Sequence, residues 1–185
     1  MIQAIDPVLA CADSRIERWR LPRWYALYTR SRHEKFLDRE LQRKHLETFL
    51  PIRKVVRRWS DRRQTVEEPL FQSYLFVRIP WMTRFNILNT KGAVCFVTTG
   101  ISHEPVEVPE RDLLSVKRFA DEDMPLDPFP YLKMGQRVYI KNGPFKGVEG
   151  FIVRKDKHCR LVISLDLLNQ SVSVQIDEAC VENCG

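Results

Sequence analysis

The sequence lacks the patterns on which metal sites, disulfide frameworks and membrane spans depend. Its five cysteines include no CxxC pair, and an odd number without that spacing specifies neither a zinc site nor a disulfide framework. No apolar run approaches the roughly 20 residues that a transmembrane helix requires. Free thiols are typical of a reducing compartment. We therefore predict a cytoplasmic protein with no metal, cofactor or membrane anchor.

A catalytic constellation is also missing. The four histidines are scattered along the chain, no serine lies in a nucleophile-elbow pattern, and no glycine-rich loop has P-loop or dinucleotide-binding spacing. A nucleic-acid enzyme would require clustered acidic metal ligands, and the sequence contains no such cluster. We predict that the chain is not an enzyme.

Positive charge is concentrated in one part of the 185 residues. Between Ser14 and Arg63 there are 16 Lys or Arg against 6 Asp or Glu, whereas the whole chain carries a net charge of +6. A local basic region favours a polyanionic partner, usually nucleic acid. Ordinary solvation of a charged surface is the alternative.

The first part of the chain predicts strands and helices intermixed. Residues 24–29 are aromatic and apolar, which is typical of a strand. Ser31 and Glu34 form a capping box, so a helix is expected to follow as far as His45. Basic residues at spacings of three or four would line one face of that helix. They are Arg32, Lys35, Arg39 and Arg43.

The next segments extend this alternation. Strand-like residues 48–59, a polar turn at 60–63 and a return strand at 64–68 predict a basic hairpin. A strand at 74–79, a short helix at 83–91 closed by Gly92, a strand at 93–98 and a helix from Pro109 to about Ala120 follow. We predict an α/β sandwich with an antiparallel sheet and flanking helices.

The last part of the chain differs in character. Residues 121–132 are acidic and rich in proline, which favours a linker without helix or sheet. Short strands are predicted at 137–141, 148–154, 160–168 and 171–176, and such strands hide their edges by curling into a small SH3-like β-barrel. The predicted organisation of this α+β protein is a flexible leader (1–22), an α/β domain (23–120), a linker (121–132) and a barrel (133–185).

A glycine-rich motif lies at the start of the predicted barrel. Within residues 135–150, the order Gly143, Pro144, Phe145, Gly147 and Gly150 resembles a KOW motif. That motif is shared by NusG-type factors and several ribosomal proteins. Glycine and proline lower helix propensity by about 1 and 3 kcal/mol per residue. We therefore expect this domain to be a β-barrel and not a helical hairpin.

The first domain resembles the N-terminal domain of the NusG family. The resemblance lies in residues 24–28, 69–77 and 92–97. Within the family it looks closest to antiterminators of the RfaH and UpxY kind, because of the Trp-Ser-Asp-Arg-Arg sequence at 59–63 and the Glu-Pro-Leu-Phe sequence at 68–71. The family usually has Pro-Gly or Pro-Asn where this chain has Gln72 and Ser73.

The resemblance implies binding to RNA polymerase by a monomeric elongation or antitermination factor. Residues at the clamp-binding positions are Tyr28, Phe71 and Tyr74, and those at the gate-loop positions are Thr83, Arg84, Phe85 and Asn86. Core packing is the alternative for Tyr28 and Phe71, since strand aromatics are usually buried. The sequence leaves open whether the outcome at terminators is read-through or pausing.

The resemblance also implies contact with the non-template DNA strand and a second partner. Positions that read this strand correspond to Arg30, Arg43, Lys44, Thr90 and Lys91. In the KOW domain, Phe145 is expected on an exposed loop, where it would contact a ribosomal protein, Rho or another factor. A ribosome-associated KOW protein acting only in translation is the alternative function.

Overall fold

The computed structural model describes residues 17–58, 63–99, 104–121, 127–130, 132, 135–143, 145–155 and 158–183. Within these ranges the elements follow in chain order: β1 (Pro22–Thr29), α1 (Glu34–Arg43), β2 (Glu47–Phe49), β3 (Ile52–Arg58), β4 (Arg63–Pro69), β5 (Tyr74–Pro80), α2 (Arg84–Leu88), β6 (Ala93–Phe96), α3 (Glu110–Asp121), β7 (Asp127–Phe129), β8 (Gln136–Ile140), β9 (Glu149–Lys155), β10 (His158–Leu165), β11 (Gln170–Ile176) and β12 (Val181–Asn183). Short 3-10 segments lie at Trp81–Thr83, Asp166–Leu168 and Glu178–Cys180.

The chain divides into two compact units. The first comprises Met1–Phe49 and Tyr74–Glu107, and the second comprises Leu50–Ser73 and Val108–Gly185. This division groups α3 with the C-terminal strands, whereas the sequence predicts a domain boundary after residue 120. The predicted boundaries stay a prediction.

The first unit is built on a four-stranded antiparallel sheet of order β2-β5-β1-β6. Side chains alternate between the two faces of a strand, and in β1 Tyr25 and Leu27 are fully buried. Leu37 and Leu41 of α1 are also fully buried. The aromatic and apolar run of β1 predicts a buried strand, and Ala26 between Tyr25 and Leu27 is buried as well, whereas Tyr28 is exposed.

The predicted capping box at the start of α1 is wrong. His33 is the N-cap residue and no side chain caps the helix. Arg32 adopts a left-handed backbone with φ of 63°, so a turn separates Ser31 from the first helical residue, Glu34. The capping-box spacing requires Glu at the third helical position, whereas Glu34 stands at the first.

Position 92 accommodates only glycine, because of its backbone conformation and its close neighbour. Its φ is +98°, and a Cβ atom there would lie 3.0 Å from the Cβ of His33. The sequence predicts that Gly92 closes a helix over 83–91, but α2 ends earlier, at Leu88, and a turn fills the interval. The close approach to His33 therefore brings the turn after α2 against the start of α1.

The second unit contains the predicted hairpin and a larger sheet. Strands β3 and β4 form a two-stranded antiparallel ribbon. The turn predicted at residues 60–63 lies outside the described residues as far as residue 62, and Arg63 already belongs to β4. The larger sheet has six antiparallel strands in the order β12-β8-β9-β10-β11-β7. A Cβ atom on Gly150 would lie 2.7 Å from the carbonyl oxygen of Val162, so only glycine allows β9 to approach β10 this closely.

One strand lies where the sequence predicts a linker without sheet. Residues Asp127–Phe129 pair with Ser171–Ser173 of β11. Pro128 is tolerated there because β7 is an edge strand of the sheet, where a missing N–H costs no ladder bond. Most of the predicted leader, residues 1–16, lies outside the described residues. Pro22 already belongs to β1.

The fold class predicted from the sequence is confirmed. An α/β N-terminal part with an antiparallel sheet precedes a β-rich C-terminal part. Strands occupy most of the segment from Gln136 to Ile176, as the glycines of the motif predict. None of the helices in the described ranges is long and apolar enough to cross a bilayer.

Candidate functional site

An aromatic pair, one ring exposed and the other partly buried, lies on the sheet of the first unit. Tyr28 of β1 stands opposite Tyr74 of β5 and Cys95 of β6 in the strand register. The two tyrosine rings meet edge to face, with centroids 5.4 Å apart, and Tyr28 is 40% exposed. Burial raises the pKa of the Tyr74 phenol above its usual value, and Tyr28 and Cys95 add to that shift. We call these three residues the aromatic patch.

Phe71 does not share this exposure. Its relative exposure is 1%, and that of the preceding Leu70 is 4%. The N–H of Leu70 donates to the carbonyl of Pro51 at 2.8 Å, which ties the segment before β5 to the start of the hairpin. The expectation that Phe71 forms an exposed contact is wrong, because its ring is used in core packing.

The four residues predicted at the gate-loop position lie together on one short segment. Thr83 ends a 3-10 turn, and its hydroxyl donates to the carbonyl of Pro80 at 2.8 Å. The guanidinium of Arg84 lies over the ring of Phe85 at 4.2 Å from the centroid. Phe85 is 58% exposed and Asn86 is exposed.

Sequence reasoning missed Met82, which belongs to the same surface. Its side chain is 53% exposed. The sequence contains a signal for this residue: Met82 precedes Phe85 by three positions, and residues so spaced share a face of a helical segment. We call Met82, Thr83, Arg84, Phe85 and Asn86 the α2 surface.

A cationic cluster forms where β1, α1 and the turn after α2 end. The Nζ atom of Lys44 donates to the hydroxyl oxygen of Thr90 at 2.8 Å. The N–H of Arg30 donates to the carbonyl of Gly92 at 2.9 Å, which brings Arg30 next to Lys91. Arg30, Lys44 and Lys91 are exposed, whereas Thr90 is 8% exposed.

Two details of the predicted basic surface differ in the structure. The side chain of Arg43 is 74% exposed but pairs with Glu40, so part of its charge is neutralised locally. Arg32 precedes α1, and the basic face of this helix therefore comprises Lys35, Arg39 and Arg43 alone. Thr90 is nearly inaccessible, and its hydroxyl oxygen accepts the hydrogen bond from Lys44.

The C-terminal residue predicted to bind a partner is buried. Phe145 is 3% exposed, and its ring meets that of Phe119 of α3 edge to face with centroids 4.7 Å apart. Arg118 of the same helix donates a hydrogen bond to the carbonyl of Lys146. The expectation of an exposed Phe145 is wrong, because α3 covers the loop that carries it.

Comparison with known protein families identifies the family of this chain. The family described as NusG, transcription termination factor nusG, matches residues 22–117. The chain belongs to the NusG family. A Borreliella burgdorferi relative, "Transcription termination/antitermination protein NusG", is 22% identical over 178 residues, which cover 86% of this chain and 97% of the relative.

A solved structure has a similar fold. It is described as "Domain interaction in Thermotoga maritima NusG" and shares 21% sequence identity and a TM-score of 0.55. The match covers 89% of this chain and 98% of that one. At this identity the likeness shows the fold alone.

NusG-family membership also decides between the two functions that the sequence left open. The family match covers the first domain, which a translation-only KOW protein leaves unexplained. The ribosomal alternative is therefore not favoured. The chain is a transcription termination/antitermination factor of the NusG family.

Proposed function

We propose that this NusG-family protein binds RNA polymerase through the aromatic patch and the α2 surface, and suppresses pausing or termination as RfaH- and UpxY-type antiterminators do. The observation that carries the proposal is the exposed Tyr28, whose ring packs edge to face against the partly buried Tyr74 on the sheet of the first unit. In this proposal the factor acts as a cytoplasmic monomer and recruits a ribosomal protein, Rho or another partner through its C-terminal strands.

The physical argument rests on the composition of the two surfaces. Tyrosine and arginine are enriched among residues that dominate binding energy, since each combines a large apolar area with a polar group. Tyr28 and Phe85 are large side chains that fold stability would be expected to bury, yet they are 40% and 58% exposed. Exposed aromatics grouped with arginine favour a protein partner.

Replacing Tyr28 with alanine is expected to weaken binding to core RNA polymerase by about 5- to 30-fold. The loss of a half-exposed ring removes contact area without emptying the core. Binding is measured by biolayer interferometry with the full-length protein. Tyr139→Ala is the matched control, because Tyr139 is 36% exposed and lies in the second unit.

Two outcomes would contradict this assignment of the aromatic patch. One is unchanged polymerase affinity for Tyr28→Ala. The other is an equal loss for Tyr139→Ala, which would indicate that any exposed tyrosine contributes. Thermal denaturation of both variants separates loss of binding from loss of folded protein.

Contact with the non-template DNA strand is the second part of the proposal. Arg30, Lys44 and Lys91 are exposed, and they converge through the bonds of Lys44 to Thr90 and of Arg30 to Gly92. A compact group of cations suits a single strand, whose phosphates it neutralises while the bases remain unstacked.

The double substitution Lys44→Ala/Lys91→Ala is expected to reduce affinity for a single-stranded oligonucleotide by roughly 10-fold at low salt. Removing two phosphate contacts should also flatten the slope of log affinity against log salt by about 1.4. Fluorescence anisotropy over a salt series measures both. Lys117→Ala/Lys146→Ala, which removes two exposed lysines elsewhere, is the control; an unchanged slope in the first variant would refute the contact.

Partner recruitment does not require an exposed Phe145. The packing of its ring against Phe119 indicates that Phe145 supports the turn at residues 145–147, while exposed polar residues such as Lys141 and Asn142 are accessible to a partner. The recruited partner is therefore proposed to contact the loop surface.

A further inference from the structure

One large apolar side chain lies on the solvent-exposed part of the basic helix. Phe36 of α1 is 38% exposed, whereas Leu37 and Leu41 of the same helix are fully buried. A single exposed apolar residue is ordinary on a protein surface. What Phe36 can bind therefore depends on the groups around its ring.

The ring of Phe36 has an aromatic neighbour whose position is fixed. It meets the ring of His33 edge to face, with centroids 6.4 Å apart and an interplanar angle of 85°. His33 is half-buried, and a Cβ atom on Gly92 would lie only 3.0 Å from the Cβ of His33. The Nδ1 atom of His33 lies 3.1 Å from the carbonyl oxygen of Ser31. His33 is thus held from two sides, and we call His33 and Phe36 together the His33–Phe36 platform.

The His33–Phe36 platform adjoins the cationic cluster of the same unit. The N–H of His33 donates to the carbonyl of Arg30 at 3.0 Å, and the N–H of Arg30 donates to the carbonyl of Gly92 at 2.9 Å. Arg30 and Lys91, which directly precedes Gly92, are both exposed. The backbone that carries these two cations therefore contacts the residue that supports Phe36.

Further positive charge lies along the helix. Residues three and four positions apart on a helix are neighbours, so Arg39 and Glu40 lie next to Phe36 in the following turn. Arg39 is exposed, and its Nε atom donates to the carbonyl of Lys35 at 3.2 Å. The carboxylate of Glu40 pairs with Arg43 at 2.5 Å. The exposed ring is thus bordered by cations, and the acid in the following turn is paired with one of them.

This combination fits single-stranded nucleic acid. Such strands are held by positive charge that follows the backbone, together with aromatic side chains on which the bases stack. In an undistorted duplex the faces of the bases are covered by their neighbours, whereas an unpaired base leaves its faces open. Each nucleotide also brings a phosphate with its base, so a single strand supplies anions to the cations on both sides of the ring.

We propose that the His33–Phe36 platform binds one unpaired base of single-stranded DNA. Phe36 stacks on the base, His33 holds the Phe36 ring in place, and Arg30 and Lys91 contact the adjacent phosphates. The inference rests on the proposed contact with the non-template strand and adds a base-binding site to it. The two differ in what they require, because the cationic cluster needs phosphates and the platform needs a base.

The first test measures how much a base contributes to binding. Full-length protein is titrated with a thymidine oligonucleotide of about 12 nucleotides and with an abasic strand of equal length, which keeps every phosphate but carries no base. The unaltered protein should bind the thymidine strand about 5- to 30-fold more tightly, as expected for one stacked base. Phe36→Ala should bind the two strands within about 2-fold of each other. Equal affinity of the unaltered protein for both strands, or a Phe36→Ala variant that keeps the full preference, would overturn the proposal.

Salt dependence separates this proposal from the phosphate contact. Phe36→Ala removes no charge, so its slope of log affinity against log salt should equal that of the unaltered protein, whereas Lys44→Ala/Lys91→Ala should flatten the slope. If Phe36→Ala keeps the preference for the thymidine strand and Lys44→Ala/Lys91→Ala flattens the slope, the platform is refuted and the phosphate contact stands. The reverse result refutes the phosphate contact and supports the platform.

Two further variants separate loss of the ring from loss of fold. Phe36→Trp retains a ring on which a base can stack and should keep the preference for the thymidine strand. Tyr139→Ala removes a 36% exposed ring of the second unit and should leave that preference unchanged. Circular dichroism checks that each variant is folded. A loss of preference as large for Tyr139→Ala as for Phe36→Ala would show that position does not matter, and would count against the platform.

Discussion

Replacing Phe71 with alanine is expected to lower the free energy of unfolding by about 3–5 kcal/mol. The ring is 1% exposed, so truncation removes buried apolar area and leaves a cavity that neighbouring side chains fill only in part. Chemical denaturation of the full-length protein measures the loss. Tyr28→Ala is the matched control, and because Tyr28 is 40% exposed it should cost no more than about 1 kcal/mol.

The opposite result would support the prediction made from the sequence, that Phe71 is exposed and contacts RNA polymerase. If Phe71→Ala left the unfolding free energy unchanged and weakened polymerase binding as much as Tyr28→Ala does, the ring would have to be accessible in solution. The comparison of Phe71→Ala with Tyr28→Ala therefore shows which of the two residues supports the fold and which contacts RNA polymerase.

The residues of the first sheet show why some features could be predicted. Short runs of aromatic and apolar residues indicate buried strands whatever their partners are, and β1 and β5 follow this rule. Burial of one particular aromatic is a different question. Phe71 and Tyr28 are both large and apolar, and only the packing of distant segments determines which of them reaches the surface.

The start of α1 shows a limit of local motifs. Ser31 and Glu34 have the capping-box spacing, but the left-handed backbone of Arg32 shifts the first helical residue to Glu34. A non-glycine residue with positive φ is uncommon, and nothing in the residue types around Arg32 indicates it. Its neighbour His33 packs close to Gly92, a contact between segments that are far apart in sequence.

The cationic cluster depends on contacts of the same long-range kind. Lys44 and Thr90 are 46 positions apart when their side chains bond. The number of charged residues indicates a basic region but not which cations lie close together. The individual nucleic-acid-binding positions were therefore predicted from the resemblance to the family. Arg43 illustrates the difference, because its neighbour Glu40 competes for the guanidinium.

Truncation of Phe145 is expected to destabilise the protein strongly. Phe145→Ala and Phe119→Ala should each lower the unfolding free energy by about 3–5 kcal/mol, because both rings are buried, at 3% and 0% exposure. Their edge-to-face contact at 4.7 Å predicts that the double variant loses less than the sum of the single losses. The expected coupling is about 0.5–1.5 kcal/mol.

A double-mutant cycle by chemical denaturation measures this coupling, with Leu114→Ala as the control on the same helix. Leu114 is 52% exposed, so its truncation should change stability by less than about 1 kcal/mol. Strictly additive losses for Phe119 and Phe145 would mean that the two rings are not in contact in solution. An unchanged stability for Phe145→Ala alone would show that this ring is accessible and available to a partner, as the sequence predicts.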